Sequence, residues 1–228
     1  MRSFRLQSLA RPGIDLAQEV IEKNHYLHRP VDPRCSVEGY AVNLYAVGNV
    51  GFLLLGRPQA TRVHGWYGSV EDVAAGRCEV TRWQVLNLAR VWLDPEVQAG
   101  GFFCNPLDLP GFLDRRGLWH PAFASAVLRM VIQRVGFDYL MSRPPCFLDE
   151  PYEIRWLMSY CDTRLHKGTI YRAAGFELYP TQNRFIQTWR VRLPALTPDQ
   201  DMAVRQAARV SRRSQAYRAA RAQLRLPI

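Results

Sequence analysis

Lysine is almost missing from this chain. Lys23 and Lys167 are the two lysines among 30 basic residues, and the other 28 are arginine. The planar guanidinium grips phosphate bidentately, so this balance points toward nucleic acid, although a GC-rich coding sequence also enriches arginine. Cysteine is sparse as well. The five cysteines, at positions 35, 78, 104, 146 and 161, include no CxxC pair. That spacing argues against a disulfide framework or a zinc site and for reduced, mostly buried thiols. No apolar run reaches the roughly 18–20 residues that a bilayer span requires. The first ten residues carry two arginines with no apolar stretch behind them, so a signal peptide is not expected. A cytoplasmic protein with no membrane partner follows as the expectation. Internal repeats and low-complexity tracts are also lacking.

What is present suits a globular protein: 228 residues, 48% of them hydrophobic, with a formal charge of +10. The charge is unevenly spread. Residues 196–228 hold seven arginines and two aspartates, a net +5. This predicts a core over residues 1–195 and a basic extension over 196–228.

Patterning gives the elements. Phe4–Ala10 alternates as a strand, Pro12-Gly13 reads as a turn, and Asp15 can cap a helix through about Asn24. Two β-rich runs, Gly39–Val47 and Val50–Gly56, meet at Gly48-Asn49 as a hairpin. Arg57–Ala75 reads as loop. Cys78–Leu93 contains two β-rich pieces, the second being Leu88–Leu93. Val97–His120 is irregular. Pro121 suits a first helical turn, and Phe123, Val127, Met130, Val131 and Val135 follow at helical spacing. Phe137–Ser142 and Ile154–Cys161 read as strands, Leu165–Ala174 as a helix stopped by Gly175, and Phe176–Tyr179 with Arg184–Leu193 as a strand pair. Thr197-Pro198-Asp199-Gln200 is a capping box that predicts a helical tail. The sum is a mixed α/β layout.

Two stretches resemble the GNAT acyltransferase superfamily. In Asp114–Val135, Gly117 matches the first glycine of the family's Q/R-x-x-G-x-G/A pattern, while Asp114 and Trp119 depart from it. Ile154–Phe176 ends in IYRAAGF, which looks like the family's penultimate helix. Its larger block, Ser159, Tyr160, Asp162, His166, Gly168, Ile170, Tyr171 and Ala173, is similar to Mom-type DNA-modification proteins, as are LARVWLDP (88–95) and NHYLHRP (24–30). The resemblance implies a mostly antiparallel twisted sheet flanked by helices. It also implies acetyl-CoA or another acyl-CoA as cofactor, double-stranded DNA as partner, and modification of the exocyclic amine of adenine, which blocks restriction. It places the cofactor at Arg116, Gly117 and His120, at Ser125 of the following helix, and at Val91 and Leu93 of the preceding strand. Arg115 offers a further donor. Free N–H groups at a helix start attract pyrophosphate. Of the two strands carrying Leu-Met-Ser, Ile154–Cys161 is favoured as the wall of the cofactor notch over Phe137–Ser142.

Amine acylation needs a proton acceptor, and an acid for the leaving thiolate. Tyr171 stands where GNAT enzymes often keep that acid, or is a core tyrosine. Asp162 and His166, four apart, would share a helix face and pair if a helix began near Asp162; otherwise they are an N-cap and a surface histidine. Glu79 is a second choice as base. His25, Tyr26, His28 and Arg29 suit acceptor contact, with a metal at His25, His28 and Asp32 a minority reading. Arg82 joins the DNA-contact set. So do Arg205, Arg209, Arg212 and Arg213 on one side of the tail helix, with docking through Met202, Val204 and Ala208 as the competing reading. An ordinary N-acetyltransferase on a small or protein amine, and a non-catalytic DNA-binding protein on this scaffold, are the alternative functions.

Overall fold

The computed structural model describes residues 4–24, 36–44, 47–98, 123–142, 153–180 and 183–223, with the side chains of 212–223 left out. The described residues form nine strands: β1 (Phe4–Ser8), β2 (Ser36–Leu44), β3 (Gly48–Gly56), β4 (Tyr67–Gly68), β5 (Val80–Thr81), β6 (Val85–Leu93), β7 (Trp156–Asp162), β8 (Glu177–Tyr179) and β9 (Ile186–Arg192). Six helices accompany them: α1 (Arg11–Asn24), α2 (Val70–Ala74), α3 (Pro95–Gln98), α4 (Phe123–Ser142), α5 (Thr169–Ala174) and α6 (Pro198–Gln223). Seven strands form one sheet in the order β1-β2-β3-β6-β7-β9-β8, and β4 and β5 pair apart. Every neighbouring pair in the large sheet is antiparallel except β6–β7, which is parallel. A parallel pair needs a long crossover, and α4 lies within it. This is the mixed, mostly antiparallel sheet flanked by helices that the resemblance implied.

The alternation of side chains along each strand divides the core in two. On one face Leu6, Leu53, Leu86, Leu88, Leu157 and Trp189 pack with α4, α5 and α6. On the other, α1 seats Ile14, Ala17 and Ile21 against Ala41, Phe52 and Leu54. Beside it Trp66 and Tyr67, both fully buried, cover Val85, Trp156 and Met158.

Three local expectations are corrected. Phe137–Ser142 is the end of α4, not a strand. Asp138 accepts from Arg134 at 2.6 Å, a pair four residues apart, and from the Tyr40 hydroxyl at 2.9 Å. Those contacts, with burial of Tyr139 and Leu140, hold the segment helical against its β-rich composition. Pro12-Gly13 lies inside the first turn of α1, a position proline tolerates because its missing N–H is unneeded there. Arg57–Ala75 contains β4 and all of α2, whose Ser69 and Asp72 form a capping box.

The tail is helical as predicted. The Thr197 amide donates to Gln200 Oε1 at 3.0 Å, and the Gln200 amide to Thr197 Oγ1 at 3.3 Å. Val204 and Ala208 are buried in the main core, whereas Met202 is exposed and does not dock.

Candidate functional site

The parallel joint is short. Val85, Leu86 and Asn87 pair with Trp156, Leu157 and Met158, and there the ladder ends, although β6 runs on to Leu93 and β7 to Asp162. The cause lies on the far side of β6. Leu54 is opposite Arg90 and Leu55 opposite Leu88, so Ala89 is an extra residue, a bulge. A bulge bends its strand, and this one bends β6 immediately after its last partner on β7. A gap opens between the two strands.

Ser159, the first residue of β7 past the joint, spans the gap with its side chain. Its Oγ lies 3.1 Å from the Leu88 carbonyl and 3.0 Å from the Tyr171 hydroxyl. A carbonyl can only accept, so Ser159 donates to Leu88 and Tyr171 donates to Ser159. The serine satisfies a carbonyl at the point where the strand ladder stops, and it fixes the tyrosine hydroxyl at the gap wall. Ser159 is 2% exposed.

Tyr171 is held by its ring. Trp189 of β9 stacks on it at 6.1 Å between centroids, and Phe176 meets it edge-on at 5.5 Å. Helix α5 begins only after Gly168, whose φ is +67°. A Cβ there would lie 2.4 Å from Trp189 Cζ2. Only glycine accommodates both the left-handed backbone and the indole beneath it.

The expected Asp162–His166 helical pair is not formed, because the helix begins at Thr169 and Asp162 ends β7. Asp162 instead accepts from Arg164: Nε to Oδ1 at 3.0 Å, a terminal nitrogen to Oδ2 at 2.6 Å, and the Arg164 amide to Oδ1 at 3.0 Å. These hydrogen bonds hold its carboxyl well below the usual range, at about 2. His166 is exposed on the turn that follows, its amide donating to the Asp162 carbonyl at 2.9 Å.

On the opposite face of the sheet, Asn87 sits beside the joint and Tyr160 two residues past Met158. Asn87 is 6% exposed and its Oδ1 has no protein partner. Burial raises the Tyr160 hydroxyl above its ordinary value, and that of Tyr67, which faces it, further.

The remaining sequence candidates scatter. Val91 and Leu93 lie on the diverging half of β6 with side chains packed into the core, so they can offer only backbone to the gap. Ser125 is buried in the first turn of α4. Arg82 donates twice to the Pro58 carbonyl, at 3.1 and 2.5 Å, and is a structural clip. Glu79 is half exposed and 3.9 Å from Arg190, on the sheet face away from Tyr171. Arg205 and Arg209 are exposed on α6, Arg205 paired with Asp201 at 2.8 Å. His25, Tyr26, His28, Arg29, Asp32, Arg115, Arg116, Gly117, Trp119 and His120 lie outside the described residues, as do the Arg212 and Arg213 side chains.

Three residues were missed: Ser159 as the bridge, Asn87 and Arg164. A serine on the apolar face of WLMSYC, in line with Leu157 and Cys161, is the sequence signal for the first. Asn87 carries the same signal within VLNLA. Arg164 has none, because its partner is set by a tight turn.

No family model and no curated protein matches the chain. Some solved structures are similar. BjaI, a CoA-dependent acyl-homoserine lactone synthase solved with SAM and isopentyl-CoA, is 12% identical over 90% of each chain, with a TM-score of 0.41. The Campylobacter jejuni N-acetyltransferase PseH in complex with acetyl coenzyme A is 10% identical over 83% of this chain and 99% of that one, with a TM-score of 0.34. A domain from Methanocaldococcus jannaschii is 8% identical over 85% and 100%, with a TM-score of 0.40. These likenesses are loose, and the chemistry rests on the residues of this chain. Among the described residues no helix is long and apolar enough to cross a membrane.

Proposed function

We propose that this chain is an acyl-CoA-dependent N-acyltransferase whose acceptor is the exocyclic amine of adenine in DNA. The observation that carries the acyl-transfer reading is the gap between β6 and β7 with the Ser159–Tyr171 hydroxyl pair on its wall. The gap suits an extended amide-bearing arm, because past Asn87 the edge of β6 facing β7 has no strand beside it. When bound, acyl-CoA supplies an acyl carbonyl activated as a thioester. The backbone of Val91 and Leu93 would line that arm. Arg116, Gly117, His120 and Ser125 would hold its phosphates at the start of α4.

The chain's own groups divide the remaining work. Tyr171 Oη rests with its proton on Ser159 Oγ, and turning that proton from Ser159 to a leaving sulfur would make Tyr171 the acid. Asn87 Oδ1 is a buried acceptor beside the joint, suited to an amine N–H, since a buried unmet carbonyl oxygen is costly unless something pairs with it. His166, exposed on the turn beyond Asp162, would receive the amine proton through water, because the end of β7 lies about 13 Å from the joint. Asp162, ionised down to about pH 2, is a poor proton acceptor and acts here through Arg164. An adenine amine reaches such a gap only when its base leaves the stack, where His25, Tyr26, His28 and Arg29 would receive it. The arginine-rich charge of +10 and the exposed Arg205 and Arg209, with Arg212 and Arg213 beyond them, support DNA as the partner.

The test is mass spectrometry of nucleosides from DNA of bacteria expressing the protein. A new adenine nucleoside mass, lost in Tyr171→Phe, is expected. Release of CoA thiol with small or protein amines, and none with DNA, would move the assignment to an ordinary N-acetyltransferase. DNA binding with no thiol release from any acceptor would leave a non-catalytic DNA-binding protein.

A further inference from the structure

We infer that Arg164, Phe185 and Arg184 form a phosphate-gripping and base-stacking subsite on the rim of the gap, and that Asp162 is its positioning residue. This rests on the reading of the acceptor as a polynucleotide.

Phe185 is 39% exposed, so part of its ring meets solvent. Two guanidinium groups lie over its ring, Arg184 4.4 Å and Arg164 5.3 Å from the centroid. The arrangement is built rather than loose. Asp162 takes two of the five Arg164 donors, on a side chain that is 64% exposed. The Thr163 amide donates to the Phe185 carbonyl at 2.8 Å, and Asn183 Oδ1 accepts from the Phe185 amide at 2.9 Å. The turn after β7 and the approach to β9 are therefore stitched together under the ring.

Charge and place point to the ligand. Arg164, Arg184 and the exposed Lys167, set against Asp162, leave a local net charge of +2, with His166 beside them. Asp162 is opposite Ile186, so the cluster caps the ends of β7 and β9. That is four residues past Met158, where the gap opens, or about 13 Å along the strand. A base turned into the gap leaves its phosphates outside, at this rim. There the two guanidinium groups pair with phosphate oxygens, and as they swing off the ring toward the phosphates a neighbouring base takes their place on the face of Phe185.

The probes are two fluorescent 20-nucleotide single strands, one with bases and one abasic, titrated at several salt concentrations. Phe185→Ala should weaken the base-bearing strand by about 5–150-fold and leave the abasic strand unchanged. Arg184→Ala should weaken both and reduce the salt slope by about 0.7. Asp162→Asn discriminates further. It removes a negative charge, so attraction by net charge alone predicts tighter binding, whereas loss of Arg164 positioning predicts weaker binding with Asp162→Glu partly restoring it. Melting curves confirm that each variant is folded. Unchanged affinity and slope in Phe185→Ala and Arg184→Ala, or tighter binding by Asp162→Asn, overturns the inference. The two proposals fail separately. If these variants lose strand binding while wild type yields no modified nucleoside, the rim site stands and the chemistry falls. If modification occurs and binding is untouched in the variants, the chemistry stands and the rim site falls. A wild type that binds neither strand overturns the rim site.

Discussion

Gly168→Ala isolates the contact that seats Tyr171. Two costs add at this position. A non-glycine residue at φ +67° costs roughly 1–2 kcal/mol. The new methyl also falls 2.4 Å from Trp189 Cζ2 and 2.7 Å from Nε1, and Trp189 is 2% exposed with no room to retreat. Overpacking of that kind costs about 1–3 kcal/mol more. Gly175 at the other end of α5 is the internal control. Its φ is +98°, but a Cβ there meets nothing within 4 Å, so Gly175→Ala should cost only the backbone part. Urea unfolding of both variants beside wild type gives the difference, expected at about 1–3 kcal/mol against Gly168→Ala. Because Trp189 stacks on Tyr171, the same variant should release CoA thiol more slowly while still folded in low denaturant. If Gly168→Ala proves no less stable than Gly175→Ala, Trp189 does not press on the start of α5, and the account of how Tyr171 is positioned fails.

Tyr171→Phe keeps the stacked ring and should lower kcat for thiol release by about 10²–10⁴-fold, the usual contribution of a general acid, with little change in Tm. Ser159→Ala should instead cost stability, about 1–3 kcal/mol by chemical unfolding, because it strips the Leu88 carbonyl of its partner. The depressed Asp162 carboxyl favours the folded state above its ordinary value of 3.8, and that contribution is lost as the pH falls toward about 2. Asp162→Asn should accordingly flatten acid unfolding in that window and leave the profile at neutral pH parallel to wild type. Deleting residues 197–228 should destabilise the core by at least about 2 kcal/mol, since Val204 is 1% exposed within it, whereas deleting 212–228 should not. Differential scanning calorimetry of the two truncations decides between docked and free.

Features fixed by neighbours in sequence were readable. The hairpin of β2 and β3 was legible, although Gly48 and Asn49 are not its turn but lie in β3, opposite Leu44 and Asn43; the box that starts α6 is spelled out in four residues. The helix boundary at Gly175 was equally local. Features fixed at a distance were not. FDYLMS reads as a strand until Arg134, Tyr40 and Asp138 come together across nearly a hundred residues. Trp66 and Tyr67 look like loop residues until Val85 and Trp156 lie beneath them. At the site, the identities of Tyr171 and Gly168 were visible, but the pairing of Asp162 was misjudged because a three-residue turn replaced the expected helical start. The bridge from Ser159 to Leu88 depends on a bulge whose register involves β3, and no pattern within β7 encodes it.

The brevity of the parallel joint also bears on how the chain acquires its fold. Strands β1, β2, β3 and β6 form one antiparallel group, and β7, β9 and β8 form another. Pairings within each group join residues 4 to 42 positions apart, and the shorter the separation the earlier and faster they form. The groups meet through three residue pairs separated by about seventy positions, and closing so long a loop costs entropy before those pairs return anything. The seam is therefore the last part of the sheet to assemble and the first to open. Amide hydrogens of Leu86 and Leu157 should exchange sooner than those of Leu53 or Trp189, equally buried but inside a group. The gap proposed for acyl transfer lies at this seam, so on that reading a folding intermediate with both half-sheets intact would hold most of the secondary structure and none of the activity.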